Sequence, residues 1–364
     1  MNSETASPVR PAHMAMPRSP LAGPFAWHGG ALSRAGDWIC ELSARDVAEI
    51  DAAVHHASEK GARWHTLRRG DFPLPALSAR LAGISHELEH GRGIALIRGF
   101  PVTAYADEQR RLAFMGIGLH LGSPVAQNAR GERLREIRDE GAERGARYGK
   151  VTSNGGEFLS SRARVASTGE LRFHTDRADL VALLCLRPAR AGGISRIASS
   201  VAVHNAMLKR RPDLLACLYG PYPRSRFGEE SDTNDAFYLL PVVGLRGGRF
   251  TSHYSRTYIE AAQLIEAAPR LSDAQWEAID LLAELAAELC LTIRFESGDL
   301  QILNSHVTYH SRSAYEDDGD PARQRVLYRL WLCPPDNRPL PRDHAVLWGN
   351  TEAGALRGGI GRQG

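Results

Sequence analysis

In the stretch Leu171-Arg172-Phe173-His174-Thr175-Asp176-Arg177-Ala178-Asp179-Leu180-Val181-Ala182-Leu183-Leu184-Cys185-Leu186, a strand-compatible segment carrying a His-x-Asp word runs into an unbroken apolar stretch from Leu180 to Leu186. An apolar run of that length reads as a strand, and Pro188 and Gly192-Gly193 turn it. On a strand, a two-residue spacing places His174 and Asp176 on one face, so both side chains reach a single ion without loop rearrangement. The word itself is short. With 14 histidines and 42 acidic residues among 364, about 1.6 His-x-Asp/Glu words arise by chance, and one is present. Its neighbours must supply the weight, because a surface His–Asp hydrogen bond produces the same word.

Working outward, Gly93-Ile94-Ala95-Leu96-Ile97-Arg98-Gly99 is a short apolar run bounded by glycines and reads as a buried strand. Residues 291–295, 300–303 and 325–333 are strand-like, separated by Gly298 and by the acidic turn at 316–321. Helical periodicity covers residues 43–56, 74–90 and 107–121. It is strongest over 272–290, where Ser272 and Gln275 form a capping box and Leu281, Leu282, Leu285 and Leu289 form a stripe. On the second helix the expected buried face is Leu77, Leu81, Ile84 and Leu88. The strands are joined by turns rather than by regular crossover helices. The expected fold is mostly β with flanking helices, around a jelly-roll double sheet.

Residues 1–22 are rich in Pro, Ser and Ala without periodicity and are expected to be a disordered lead. A single domain is expected over 23–345, followed by a glycine-rich tail over 346–364. The chain is 43% hydrophobic and 24% charged, as soluble globular proteins are. A net charge of +3 leaves no electrostatic footprint for nucleic acid or a membrane surface. Basic words such as Lys209-Arg210-Arg211 read as a solvated helix face. No span approaches the roughly 20 apolar residues of a membrane helix, and no apolar signal region follows Arg10 and Arg18. Cys40, Cys185, Cys217, Cys290 and Cys333 are scattered and odd in number, which argues against a disulfide framework or zinc site and fits a cytoplasmic protein. The sequence is compatible with a homo-oligomer.

Two imidazoles and one carboxylate are the ligand set of the facial triad that holds non-haem Fe(II) and leaves positions open. The second imidazole comes from far downstream, where His306 and His310 lie four apart behind the turn Gly298-Asp299. On a strand both share a face, and spacing does not choose between them. Arg325 and Arg329 are also four apart in an apolar strand and also share a face. A guanidinium buried there without an anion costs several kcal/mol, so each needs an anionic partner, from the protein or from a ligand. Arginine suits a carboxylate because it donates two parallel hydrogen bonds.

The order Leu-x-Phe-His-Thr-Asp (171–176), Gly-Gly-x-Ser (192–195), Gly-Asp-Leu-Gln-x-Leu-Asn (298–304), His-Ser-Arg-Ser-Ala-Tyr-Glu-Asp (310–317) and Arg-Val-Leu-Tyr-Arg-Leu-Trp-Leu (325–332) closely resembles the TauD/TfdA family. The resemblance runs from about Trp27 to Pro341 and includes Gly93–Pro101 and Gly122–Asn128. It implies a double-stranded β-helix core and a dioxygenase dependent on Fe(II) and 2-oxoglutarate. It also implies that His310, which precedes Ser311-Arg312-Ser313-Ala314-Tyr315, joins His174 and Asp176 as iron ligand, and that His306 is not a ligand. Arg325 falls where the family holds the distal carboxylate of 2-oxoglutarate, and Ser195 where a threonine often touches it. Arg329 falls where some members bind an anionic group of the substrate. Asn128 and the stretch 139–168, which fits the family pattern poorly, are the further candidates for substrate contact and lid. An intact Asp176 favours hydroxylation, with desaturation or cyclisation as variants, because related halogenating oxygenases carry a small residue there. The expected substrate is a small polar, carboxylate-bearing or amino-acid-derived metabolite, with O2 as the other partner. The competing expectations are an iron oxygenase of this fold that does not consume 2-oxoglutarate, and a non-catalytic jelly roll that binds a small acid.

Overall fold

The computed structural model describes residues 16–141, 150–153, 156–159, 161–226 and 236–360. The lead expected over 1–22 lies outside the described residues as far as residue 15, as do parts of the expected lid over 139–168. Within the lead, the Leu21 backbone exchanges two hydrogen bonds of 2.8 Å with the Asn205 amide.

The strands that build the core are, in chain order, β1 (Ile39–Glu41), β2 (Ile94–Arg98), β3 (Ser123–Pro124), β4 (Leu134–Ile137), β5 (Leu171–His174), β6 (Leu180–Arg187), β7 (Ser195–Ser199), β8 (Leu291–Ile293), β9 (Leu300–Asn304), β10 (Thr308–Arg312) and β11 (Val326–Cys333). One sheet has the order β1-β2-β9-β6-β11-β3, with β4 also paired to β11. The other has the order β8-β7-β10-β5. All pairings are antiparallel except β1 with β2. Two facing antiparallel sheets with non-consecutive neighbours are the jelly roll that the sequence predicted.

The side-chain alternation of the strands divides the core into layers. On β11, Val326, Tyr328, Leu330 and Leu332 pack outward against helices α1 (Ala44–Glu59), α2 (Leu77–His90) and α3 (Asp107–Leu121). Leu327, Trp331 and Cys333 point the other way, between the sheets, together with Val181, Cys185 and Ile197. The outer face of the small sheet, with Phe173, Ala198 and Tyr309, is covered by α4 (Ser200–Arg210), α5 (Pro212–Leu218) and α6 (Asp273–Leu289). Each leucine fully buried in these layers contributes about 1.5–3 kcal/mol. On α2, Leu77, Leu81 and Leu88 are buried and Ile84 is partly so. The Ser272–Gln275 capping box starts α6 as the sequence predicted.

Two local devices bear on the interior. Gly192 has φ +71°, and a Cβ there would collide with the Ala314 carbonyl, so only glycine lets the chain entering β7 lie against the segment leaving β10. The glycine-rich stretch after residue 345 packs through residue 360. Trp348 is buried, the Arg357 guanidinium sits on Asp179, and the Gly359 and Ile360 amides donate to the carbonyls of Arg177 and Ala126.

Candidate active site

His174 ends β5, directly opposite His310 on β10, with a register irregularity between His310 and Arg312. Their ring centroids are 4.2 Å apart. The strand stops at His174, so Asp176 does not stand on it as the two-residue spacing predicted. The cause is Tyr254: its carbonyl accepts from the Thr175 amide at 2.8 Å, and its amide donates to the Thr175 hydroxyl at 3.1 Å. These bonds draw the chain off the small sheet and still leave Asp176 facing inward. One ligand atom from each of His174, Asp176 and His310 lies within 4.8 Å of the others, the only such grouping among the described residues.

The protonation states suit a metal. The Arg172 carbonyl, 2.9 Å from His174 Nδ1, can only accept, so Nδ1 carries the proton. That leaves the Nε2 lone pair inward, 3.9 Å from Asp176 Oδ1. Burial, with His174 close by, pushes the His310 pKa down to about 3 and keeps the ring neutral. Burial alone would raise the Asp176 pKa. The charge of Arg329 and the hydrogen bond from Trp331 outweigh it and hold the carboxylate ionised. Two neutral imidazoles and one carboxylate fit Fe(II).

Two cavities meet at this point, since Val165, Leu171, His174 and Arg329 line both. The smaller encloses about 540 Å³ and holds His310, Ser195, Arg312 and Arg325 against Leu183, Phe295 and Leu327. Arg325 is 5% exposed, and its Nη1 has no partner among the described residues. Its guanidinium lies 5.0 Å from the Tyr315 ring centre. A buried guanidinium with a bare nitrogen, packed beside Leu183, Phe295 and Leu327, fits a carboxylate such as the far end of 2-oxoglutarate. The Ser195 hydroxyl donates to Gln301 Oε1 at 3.0 Å at the edge of the same pocket.

The larger cavity encloses about 890 Å³, counted to its open mouth. Arg135, Arg164, Arg172, Arg177, Arg256 and Arg329 line it, with Asp176 the one acid in the wall among the described residues. Arg172 and Arg256 are both bound to Glu260 behind that wall. Asn128 is not in this wall. Its amide braces its own loop through Glu132 and Arg130 and faces a separate surface groove. The neighbouring Gln127 is in the wall, with Oε1 accepting from Arg329 Nε at 2.7 Å. His306 sits in the turn before β10, where it bonds to Asp179 and Thr251, and it lines neither cavity. Sequence reasoning did not find Gln127, Trp331, His253 or Ile360. Of these only Trp331 left a signal, two residues past Arg329 and so on the same strand face.

A model of the taurine catabolism dioxygenase TauD, TfdA family matches residues 56–331. FR-33289 synthase of Streptomyces rubellomurinus is 31% identical over 342 residues, spanning 92% of this chain and 97% of that protein. The taurine hydroxylase-like protein SAT17 of Stachybotrys chartarum is 29% identical over 323 residues, spanning 85% and 81%. An asparagine oxygenase solved with Fe(II), 3-hydroxyasparagine and succinate superposes with TM-score 0.61 at 16% identity, over 88% of this chain and 100% of that one. The non-heme iron oxygenase OrfP, solved with Fe and alpha-ketoglutaric acid, gives 0.57 at 14% identity, over 81% and 93%. The last two are likenesses of fold. No helix among the described residues is long and apolar enough to cross a membrane.

Proposed function

The chain belongs to the taurine catabolism dioxygenase TauD, TfdA family, Fe(II)- and 2-oxoglutarate-dependent enzymes, and we propose that it hydroxylates an unactivated carbon of a small, anionic, amino-acid-derived metabolite. In this proposal His174, Asp176 and His310 hold the iron, Arg325 and Ser195 seat 2-oxoglutarate in the smaller cavity, and the substrate enters the larger one. The observation that carries it is the cluster of three ligand atoms at the seam between an arginine-lined cavity and a smaller one into which the buried Arg325 brings an unpartnered guanidinium nitrogen.

When bound, iron and 2-oxoglutarate supply the oxidant, with 2-oxoglutarate losing CO2 to become succinate while one atom of O2 goes to it and the other to the substrate carbon. The chain supplies position and dryness. The Arg172 carbonyl keeps His174 in the tautomer that offers Nε2. Arg325 forks onto the distal carboxylate, and Leu183, Phe295 and Leu327 exclude water around it. The arginines of the larger cavity favour an anionic substrate, and Arg329, on the shared wall, is the nearest of them to the metal position. An amino-acid-derived substrate is supported by the relatives of this fold solved with 3-hydroxyasparagine and with hydroxylated arginine. A cytoplasmic location belongs to the same proposal, supported by five unpaired cysteines.

Protein loaded anaerobically with Fe(II) is expected to convert 2-oxoglutarate to succinate on exposure to O2, with turnover raised by the right member of a panel of amino-acid derivatives. His174→Ala should lose both iron and succinate. Arg325→Met should raise the KM for 2-oxoglutarate by at least roughly 10- to 150-fold, since the fork loses two charge-assisted hydrogen bonds and one alone is worth about 1.5–3 kcal/mol. Turnover indifferent to Arg325 would favour an iron oxygenase that does not consume 2-oxoglutarate. Iron-loaded protein that forms no succinate above the blank would refute the proposal.

A further inference from the structure

Asp176 offers its two oxygens to different partners. Oδ1 is the oxygen 3.9 Å from His174 Nε2, on the side where the ligand atoms gather. Oδ2 accepts a hydrogen bond from Trp331 Nε1 at 2.9 Å. The indole N–H is a donor only, so this bond has one polarity. Both residues are buried, at 6% and 5% exposure. Arg329 approaches both Asp176 oxygens at 3.4–3.5 Å and does not discriminate between them. Trp331 does.

The indole is itself held in place. It stands on β11, and the Arg329 guanidinium lies 4.9 Å from its ring. Gln127 accepts from Arg329 Nε, while its own Nε2 donates to the carbonyls of Arg133 and Arg329 at 2.8 Å. Strand, guanidinium and amide thus form a brace with the indole N–H at its tip.

We propose that Trp331 is a positioning residue whose indole N–H withholds Oδ2 from the metal, so that Asp176 ligates through Oδ1 alone and one coordination position stays free. The proposal rests on the assignment of Asp176 as an iron ligand. A facial triad with one oxygen from the carboxylate leaves three positions of an octahedron. A 2-oxoglutarate bound by two oxygens takes two of them, and the last remains for O2. A carboxylate bound by both oxygens fills that last position. The hydrogen bond from Trp331 makes such a rotation costly, because it would leave a buried donor without its partner.

The test uses Mn(II) as the probe and water-proton relaxation as the readout, which counts exchangeable waters on the metal and needs no substrate or turnover. With saturating 2-oxoglutarate, wild type is expected to keep one metal-bound water. Trp331→Phe, which keeps a ring and removes the N–H, is expected to drop to the outer-sphere background. Adding Asp176→Asn to Trp331→Phe should restore the water, because an amide has one ligating oxygen. An unchanged water count in Trp331→Phe overturns the role of Trp331 and leaves the ligand assignment standing. Wild type that binds neither Mn(II) nor Fe(II) overturns the assignment itself. A crystal of the wild-type Mn(II) complex reads the same point independently of how the variant folds: both Asp176 oxygens at bonding distance would overturn the proposal.

Discussion

Replacing Arg357 by methionine removes the charge that balances the most deeply buried carboxylate near the site. Asp179 Oδ1 accepts from Arg357 Nη2 at 2.6 Å and Nε at 3.0 Å, and from His306 Nε2 at 2.8 Å. Arg357 is 0% exposed, and Asp179 and His306 are each 1% exposed. Burial would raise the Asp179 pKa, but the His306 hydrogen bond and the Arg357 charge hold it below the ordinary carboxylate range. Without Arg357, a buried anion keeps a single imidazole as partner, and burial pushes the pKa of that imidazole down. Breaking one side of such a pair costs about 3–5 kcal/mol. With an unfolding entropy of about 2.1 cal/mol/K per residue, 1 kcal/mol moves the midpoint of a chain this long by about 1.3 °C, so a drop of about 4–7 °C is expected. Thermal and urea unfolding of metal-free protein measure it without linkage to the ion. Asp179→Asn combined with Arg357→Met should recover part of the loss, because no buried charge then remains. A loss under about 1 kcal/mol for Arg357→Met, or a double variant as unstable as the two singles added, would refute the reasoning.

Gln127→Leu should lower stability by about 1–3 kcal/mol by stranding Arg329 Nε, and should cut kcat/KM by roughly tenfold, whereas Asn128→Ala should stay within about twofold of wild type; equal effects in the two variants would contradict their placement. Glu260 accepts from Arg172 and Arg256, and although burial alone would raise its pKa, those hydrogen bonds hold it below the ordinary value of 4.5. A depressed folded-state pKa contributes stability that is present above 4.5 and is lost as pH falls through the folded value. Glu260→Gln should therefore flatten the acid limb of stability against pH, and an unchanged acid slope would show that the pair contributes nothing.

Legibility followed periodicity. The unbroken apolar run at 180–186 and the apolar stretch at 325–332 are local patterns, and both became central, buried strands. Arg325 and Arg329 share the inward face because strand geometry repeats every two residues. The same rule misled at Asp176. The strand ends two residues before Asp176, where the chain pairs instead with Tyr254, whose hydrogen bonds to Thr175 span 79 residues of chain. Gln127 and Asn128 are adjacent amides with nothing local to rank them, and a partner 202 residues away decides that Gln127 faces the cavity.

By itself the sequence determined the architecture and the donor chemistry, because strand alternation, helix caps and the types of side chain on each face are properties of neighbours along the chain. Spacing left His306 and His310 equivalent, since both satisfy the same parity, and only the family resemblance favoured His310. The fold separates them by putting the turn between β9 and β10 at His306, which then bonds to Asp179 and Thr251. Only the tertiary structure assigned each oxygen of Asp176 a partner and turned a glycine-rich tail into part of the core, with Arg357 on Asp179 and Ile360 in the cavity wall. Those are contacts between residues more than 150 positions apart. They are set by which buried charges must find partners once the sheets close, and no local pattern encodes that.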